Sequence, residues 1–270
     1  MGRAKRMERV VALTKILVDH PQHLFSFSYF CKKFEVAKST LSEDVLAVKT
    51  GLELFGLGKV ETLSGAAGGV RFIPLRKLEA DNDFLKDLAT KLAVPDRILP
   101  GGLLYVTDIL CNPQLVVRLG EVFRNRLQHL APDYVMTVET RGISLALQVA
   151  RAFNVPLVMA RHDNYITEGP TVNINYVSGS AKAIRTMGLP KRVLQPGSKV
   201  LIVDDVMKAG GTARGMVELA TEVGAVVIGK AFLIETATPE TKLVEDYTAF
   251  FRLYDVDEEA RKIKIEPILG

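Results

Sequence analysis

Two adjacent carboxylates, Asp204 and Asp205, stand at the end of an unbroken apolar run, Val200-Leu201-Ile202-Val203, and lead into Val206-Met207-Lys208-Ala209-Gly210-Gly211-Thr212. A fully apolar run of this length reads as a buried strand, and in an open α/β sheet ligands bind at the carboxyl ends of strands. The glycine-containing turn after it opens a helix. The backbone N–H groups of a helix start, together with its dipole, favour a phosphate. Gly210 and Gly211 let the backbone come close to phosphate oxygens with no Cβ in the way, and the Thr212 hydroxyl can add a donor. The carboxylates would repel a phosphate, but they suit the hydroxyls of a ribose. The pattern therefore asks for a ligand that carries ribose and phosphate together.

The elements that must position this loop follow from periodicity. Strand-like residues 103–106 precede a helix over 113–127, strand 134–138 precedes a helix over 143–153, and strand 157–160 leads to a period-two stretch at 172–176. After the apolar run at 200–203 come a helix over 212–223 and a strand over 226–233. Strands alternating with helices predict an α/β domain with a mostly parallel sheet covered on both faces. The stretch 161–181 is long and partly hairpin-like, and loops of that length are usually functional or mobile. The tail at 250–265 is amphipathic and suits either a cover for a ligand or part of the core.

Upstream the pattern changes. Met7, Val10, Leu13 and Leu17 repeat at helical spacing, predicting a helix over 5–18 that His20-Pro21 ends. A short helix over 28–34 follows, with Ser26 or Ser28 as its N-cap. A third helix spans 38–55, with Leu41, Val45, Val48, Leu52 and Phe55 as a stripe and Thr40 and Glu43 as a capping box. Strands at 60–63 and 70–73 are joined by a glycine-rich turn. Three helices and a hairpin make a winged helix-turn-helix. Its third helix is the recognition element, with Lys38, Ser39, Thr40 and Ser42 at its start, Arg71 on the wing, and Arg3, Lys5, Arg6 and Arg9 placed to track phosphates. The segment from Pro74 to Pro100 reads as a connector containing a helix, so the expected domains are 1–74 and 75–270.

Charge supports this division. Residues 1–77 carry 13 lysines and arginines against 7 aspartates and glutamates, and the remainder 22 against 24. A basic head on a slightly acidic body points to a polyanion at the head. No run of about 18 apolar residues suggests a membrane span. The basic N-terminus lacks the apolar stretch of a signal peptide. Cys31 and Cys111 are isolated and match no metal spacing, the expectation being two buried thiols in a cytoplasmic protein.

The Asp204–Thr212 segment resembles the ribose-phosphate signature of the phosphoribosyltransferases. Thr140-Arg141-Gly142, after a strand and before a helix, is similar to that family's pyrophosphate loop, and Arg161 and Asp163 lie where the family keeps a loop that closes over its substrate. Leu99-Pro100-Gly101-Gly102, Asn175-Tyr176-Val177-Ser178-Gly179-Ser180, and in the head Ala37-Lys38-Ser39 and Ser42-Glu43-Asp44, narrow the resemblance to the purine operon repressors of Gram-positive bacteria, in which a winged helix is fused to a type I phosphoribosyltransferase domain. That resemblance implies a homodimeric DNA-binding regulator of purine biosynthesis genes, released from its operators by phosphoribosyl pyrophosphate. Asp204, Asp205, Met207, Lys208, Ala209, Gly210, Gly211, Thr212, Thr140, Arg141, Gly142, Arg161 and Asp163 would bind this effector. It further implies no required cofactor, a magnesium ion able to accompany the effector, and guanosine tetraphosphate as a competing ligand. The alternative is an active purine phosphoribosyltransferase with a DNA-binding head. Family enzymes usually place hydroxyl residues before Gly-Gly-Thr, where Lys208 and Ala209 stand here. A fixed charge at that point favours retention of an anion over turnover, so no catalytic residue is assigned.

Overall fold

The structure is a computed structural model, and it describes residues 4–65, 68–162, 169–177 and 183–270. The chain divides near Leu78 into two compact units. Among the described residues no helix is long and apolar enough to cross a membrane.

In the first unit the elements run α1 (Arg6–Asp19), β1 (Phe25–Ser26), α2 (Phe27–Phe34), α3 (Lys38–Leu54), β2 (Lys59–Leu63) and β3 (Gly69–Ile73). The strands form a small antiparallel sheet in the order β1-β3-β2, with Val60 opposite Phe72. This is the winged-helix arrangement. The apolar stripe folds inward as its spacing demands: Leu13 and Leu17 of α1 and Leu41, Val45, Val48 and Leu52 of α3 join Phe30, Val60, Val70 and Phe72 in one core. Two expectations fail at its margins. Phe55 lies just past the last turn of α3 and is three-quarters exposed, as is Met7 at the start of α1. The α3 N-cap is Ala37, with no side-chain cap, so Thr40 and Glu43 lie inside the helix and form no capping box. Ser26 does cap α2, accepting a hydrogen bond from the Tyr29 amide at 3.2 Å.

The second unit contains α4 (Leu78–Leu92), a two-stranded ribbon of β4 (Ile98–Leu99) and β5 (Leu103–Leu104), α5 (Thr107–Leu110), α6 (Pro113–Arg126), β6 (Tyr134–Val138), α7 (Gly142–Phe153), β7 (Leu157–Ala160), β8 (Thr171–Val177), β9 (Ile184–Pro190), β10 (Lys199–Met207), α8 (Gly211–Glu222), β11 (Val226–Thr236), β12 (Thr248–Asp257) and β13 (Lys262–Pro267). Among the described residues its main sheet has the strand order β13-β12-β11-β10-β6-β7. Every pairing is parallel except β12 with β13. Val200 and Ile202 face α8 in a cluster with Met216, Leu219 and Ala220, while Leu201 and Val203 are equally buried on the other face. An interior strand covered on both faces is what a parallel sheet requires. The amphipathic tail becomes β12 and β13, part of this sheet and its core, with Phe250 stacked on Phe123 of α6. Strands β8 and β9 form a separate hairpin whose Tyr176 and Met187 rest on α8 at Gly215, where a Cβ would press to 3.0 Å from Met187 Cε. The expected strand over 103–106 contracts to two residues. Cys111 is exposed and Cys31 half-buried, against the expectation of two buried thiols.

Candidate functional site

Strand β10 carries both carboxylates to its carboxyl end. Asp204 and Asp205 are each about 6% exposed. The strand is longer than its apolar run, because pairing with β11 continues through Asp204↔Phe232 to Met207↔Glu235. The backbone stabilises the carboxylates locally: the Asp205 amide donates to Asp204 Oδ1 (2.9 Å) and the Val206 amide to Asp205 Oδ1 (2.8 Å). Burial, reinforced by the neighbouring Asp205 charge, still pushes the Asp204 carboxyl well above the usual carboxylate range. Met207 turns into an apolar cluster with Ala213, Phe232 and Val244. Its side chain is therefore core, and only its backbone can face a ligand. Lys208 is exposed. Gly210, at φ +87°, takes the left-handed conformation and is the N-cap of α8, so the turn into the helix depends on a residue without Cβ.

The second loop converges on the same place from β6. The Arg141 Nε lies 3.0 Å from Asp205 Oδ2, with about half of the arginine side chain exposed. At Gly142, the first residue of α7, a Cβ would overlap Asp204 Oδ1 and Thr137 Oγ1. The β6–α7 turn can therefore pack against the Asp pair only with glycine there. Thr137 Oγ1 is buried and has no hydrogen-bond partner among the described residues. Thr140 is exposed, and the peptide before it, Glu139–Thr140, is cis. Arg161 Nη1 lies 3.7 Å from Glu139 Oε2, and Glu139 Oε1 accepts the His162 amide at 2.7 Å. Asp163 lies outside the described residues.

Sequence reasoning missed several participants. Lys242 Nζ donates to the carbonyl oxygens of Lys208 and Thr236, both at 2.6 Å, and the Leu243 amide donates to Ala209 O at 2.9 Å. No local pattern could have linked a lysine to a loop 34 residues earlier. Burial lowers the Lys242 ammonium from its ordinary value. Tyr176 of β8 is raised by burial, an effect opposed by its hydrogen bond to Thr212. Beside this loop, Glu235 accepts from Tyr247 Oη and from Arg252 Nε, each at 2.6 Å. Burial, and then the Glu235 hydrogen bond, push the Tyr247 hydroxyl up to about 12.

In the first unit, Lys5, Arg6, Lys38, Ser39 and Ser42 are exposed and Thr40 is half-buried. The Ser42 hydroxyl donates back to Lys38 O (2.9 Å), and Lys38 Nζ sits 5.7 Å over the Phe27 ring. Arg9 is buried and cannot track phosphates: its Nε donates to Asp44 Oδ2 at 2.7 Å and its Nη1 to Ala4 O at 2.8 Å. This pair ties α1 to α3. Arg71 is held by Glu61 (2.8 Å), which also binds Lys59 (2.9 Å). Those two cations, Lys59 first, lower the Glu61 carboxyl. Arg3 lies outside the described residues.

Residues 5–74 match the bacterial purine repressor N-terminal domain, and residues 106–262 match the phosphoribosyl transferase domain. The Bacillus subtilis purine biosynthesis transcriptional repressor PurR is 44% identical over 262 residues, covering 97% of this chain and 92% of its own. The chain belongs to the bacterial purine repressor family. Within this family, the purine biosynthesis transcriptional activator PurR of Lactococcus lactis is 38% identical, with 97% of each chain covered. Among solved structures, the adenine phosphoribosyltransferase of Rhodothermus marinus aligns with a TM-score of 0.51 at 25% identity, over 62% of this chain and 98% of that one. The purine repressor head and the phosphoribosyltransferase-type body are therefore both present in this one chain.

Proposed function

We propose that this purine repressor family member binds operator DNA of purine biosynthesis genes as a homodimer and lets go when phosphoribosyl pyrophosphate occupies its body. The observation that carries the proposal is the convergence of Arg141 and Gly142 on the Asp204–Asp205 pair at the mouth of α8, in a chain that also carries a purine repressor head. Asp204 and Asp205 would accept hydrogen bonds from the ribose hydroxyls. The backbone of residues 207–211 with Thr212 would hold the 5′-phosphate, and Lys208 would add charge there. Arg141, with Thr140 and Gly142, would take the pyrophosphate, and Arg161 and Asp163 would lie on the closing side. The residues present fit a magnesium ion as a companion of the ligand: two carboxylates alone make no cage, and magnesium characteristically binds through one or two carboxylates together with ligand phosphates. Guanosine tetraphosphate, with its own ribose and diphosphates, would compete for the same donors.

On the DNA side, exposed Lys38, Ser39 and Ser42, with Thr40, lie at the start of α3, whose first N–H groups have no side-chain cap. Lys5, the N-cap of α1, and Arg6, its first residue, would contact phosphates, Arg3 would extend these contacts, and Arg6 and Arg71 would have to share themselves with Asp44 and Glu61.

The deciding experiment is fluorescence anisotropy of a purine-promoter duplex titrated with the full chain, with and without phosphoribosyl pyrophosphate, at several salt concentrations. Affinity falls steeply with salt and falls again with ligand. A flat salt response or indifference to ligand overturns the reading. A second reading, an active phosphoribosyltransferase, is favoured by the alignment with an adenine phosphoribosyltransferase over 98% of its length. It predicts release of pyrophosphate with a purine base, whereas Lys208 and Ala209 in place of hydroxyl donors lead us to expect none.

A further inference from the structure

The geometry points to Lys242 and Leu243 as positioning residues that set the peptide planes of the phosphate loop so that only N–H groups face the ligand. The inference rests on the reading of residues 207–212 as a phosphate loop. A loop that binds an anion must present donors and turn its carbonyl oxygens away. Two successive carbonyls of this loop are captured from one side. The Lys208 carbonyl accepts from Lys242 Nζ at 2.6 Å, and the Ala209 carbonyl accepts from the Leu243 amide at 2.9 Å, while the Thr236 hydroxyl donates to Thr238 O at 2.7 Å. Both peptide bonds are trans, since among the described residues only Glu139–Thr140 and Thr238–Pro239 are cis. In a planar trans peptide the C=O and the following N–H point in opposite directions. The Ala209 and Gly210 N–H groups are therefore aimed away from the segment at 236–244, ahead of the first turn of α8.

Such a restraint is needed here because Gly210 and Gly211 place little intrinsic limit on the backbone. A flipped peptide at either position would offer a carbonyl oxygen to the phosphate. The strap is itself fixed. Val244 packs with Met207, Ala213 and Phe232, Tyr247 is bonded to Glu235, and the Lys242 ammonium also donates to Thr236 O. Lys242 also brings a positive charge directly behind the loop, so orientation and potential act in the same sense.

The test uses the full-length chain and calorimetric titration with phosphoribosyl pyrophosphate and with inorganic pyrophosphate, which lacks the 5′-phosphate assigned to this loop. Lys242→Met weakens phosphoribosyl pyrophosphate binding roughly tenfold, the scale of one charge-assisted hydrogen bond, and leaves pyrophosphate binding unchanged. Lys242→Arg restores most of the affinity. Without ligand, amide hydrogen exchange at Leu243, whose N–H is held by Ala209 O, accelerates in Lys242→Met. Undiminished phosphoribosyl pyrophosphate affinity, an equal loss for both ligands, or unchanged exchange each overturns the inference. If the wild-type chain binds pyrophosphate but gains nothing from the ribose 5-phosphate moiety, the phosphate-loop reading fails, and the exchange data still judge the strap on their own. Should Lys242→Met not fold, Thr236→Val, which removes the hydroxyl oxygen that accepts from Lys242 Nζ at 3.3 Å and so loosens the ammonium, carries the same test at smaller amplitude.

Discussion

Asp204 holds a proton more tightly than an ordinary aspartate because it is buried and next to Asp205. Its folded pKa lies above the ordinary 3.8, so between those two values the folded chain binds more protons than the unfolded one, and stability falls as pH rises through that window. Asp204→Asn removes this dependence. Denaturant unfolding at several pH values should show the variant gaining on the wild type as pH rises, while binding of phosphoribosyl pyrophosphate is lost. A stability difference independent of pH would mean that the carboxyl is not held in its protonated range. Gly142→Ala acts at the same point by a different cause. Its Cβ overlaps Asp204 Oδ1 and Thr137 Oγ1, so the turn must shift at a cost of roughly 1–3 kcal/mol. Calorimetry should show ligand affinity falling with no change in the DNA affinity of the ligand-free chain.

At the scale of elements, the contact between α1 and α3 includes the buried Arg9–Asp44 pair. Removing one member leaves the other charge without its partner, which costs about 3–5 kcal/mol. Asp44→Ala should lower the unfolding midpoint of the head and abolish operator binding, while titration of phosphoribosyl pyrophosphate into the body stays unchanged. Most of these elements were legible in the sequence because each is long and strongly periodic: strands 134–138 and 157–160 match β6 and β7 at both ends, and α6 and α8 fall within a residue of expectation. The third helix was legible as a stripe, but its ends were not. Phe55 continues the spacing of Leu41 and Leu52 yet lies beyond the last turn, where no partner covers it. Strands β12 and β13 were read only as an amphipathic tail, since alternation alone cannot distinguish a cover from a sheet. Within the site, Asp204, Asp205 and the glycines were legible because one short segment contains them. Arg141 was legible only by resemblance. Lys242 and Thr137 were not legible, because tertiary contacts alone bring them to the loop. Arg9 was misread as a surface cation because Asp44, 35 residues away, is what buries it.

For the whole molecule, two ligands bound by one chain must obey linkage. If phosphoribosyl pyrophosphate weakens operator binding by a given factor, saturating operator DNA weakens phosphoribosyl pyrophosphate by the same factor. Paired titrations on the full chain should give equal ratios, and unequal ratios would exclude a single coupled equilibrium. The contact of Arg141 with Asp205 extends this argument to ionic strength. In the free chain Asp205 already supplies Arg141 with a counter-charge, so effector binding as proposed would exchange one anionic partner for another at that half-exposed arginine. At this one arginine salt would weaken the old pairing and the new one together. Operator binding would also release the counterions condensed on DNA, so its dependence on salt should be the steeper. Under the proposed function, raising ionic strength should therefore loosen the DNA more than the effector, and the concentration of effector that empties an operator would drift downward. Such a regulator would respond to the ionic strength of its surroundings as well as to the supply of its effector, with no separate sensor.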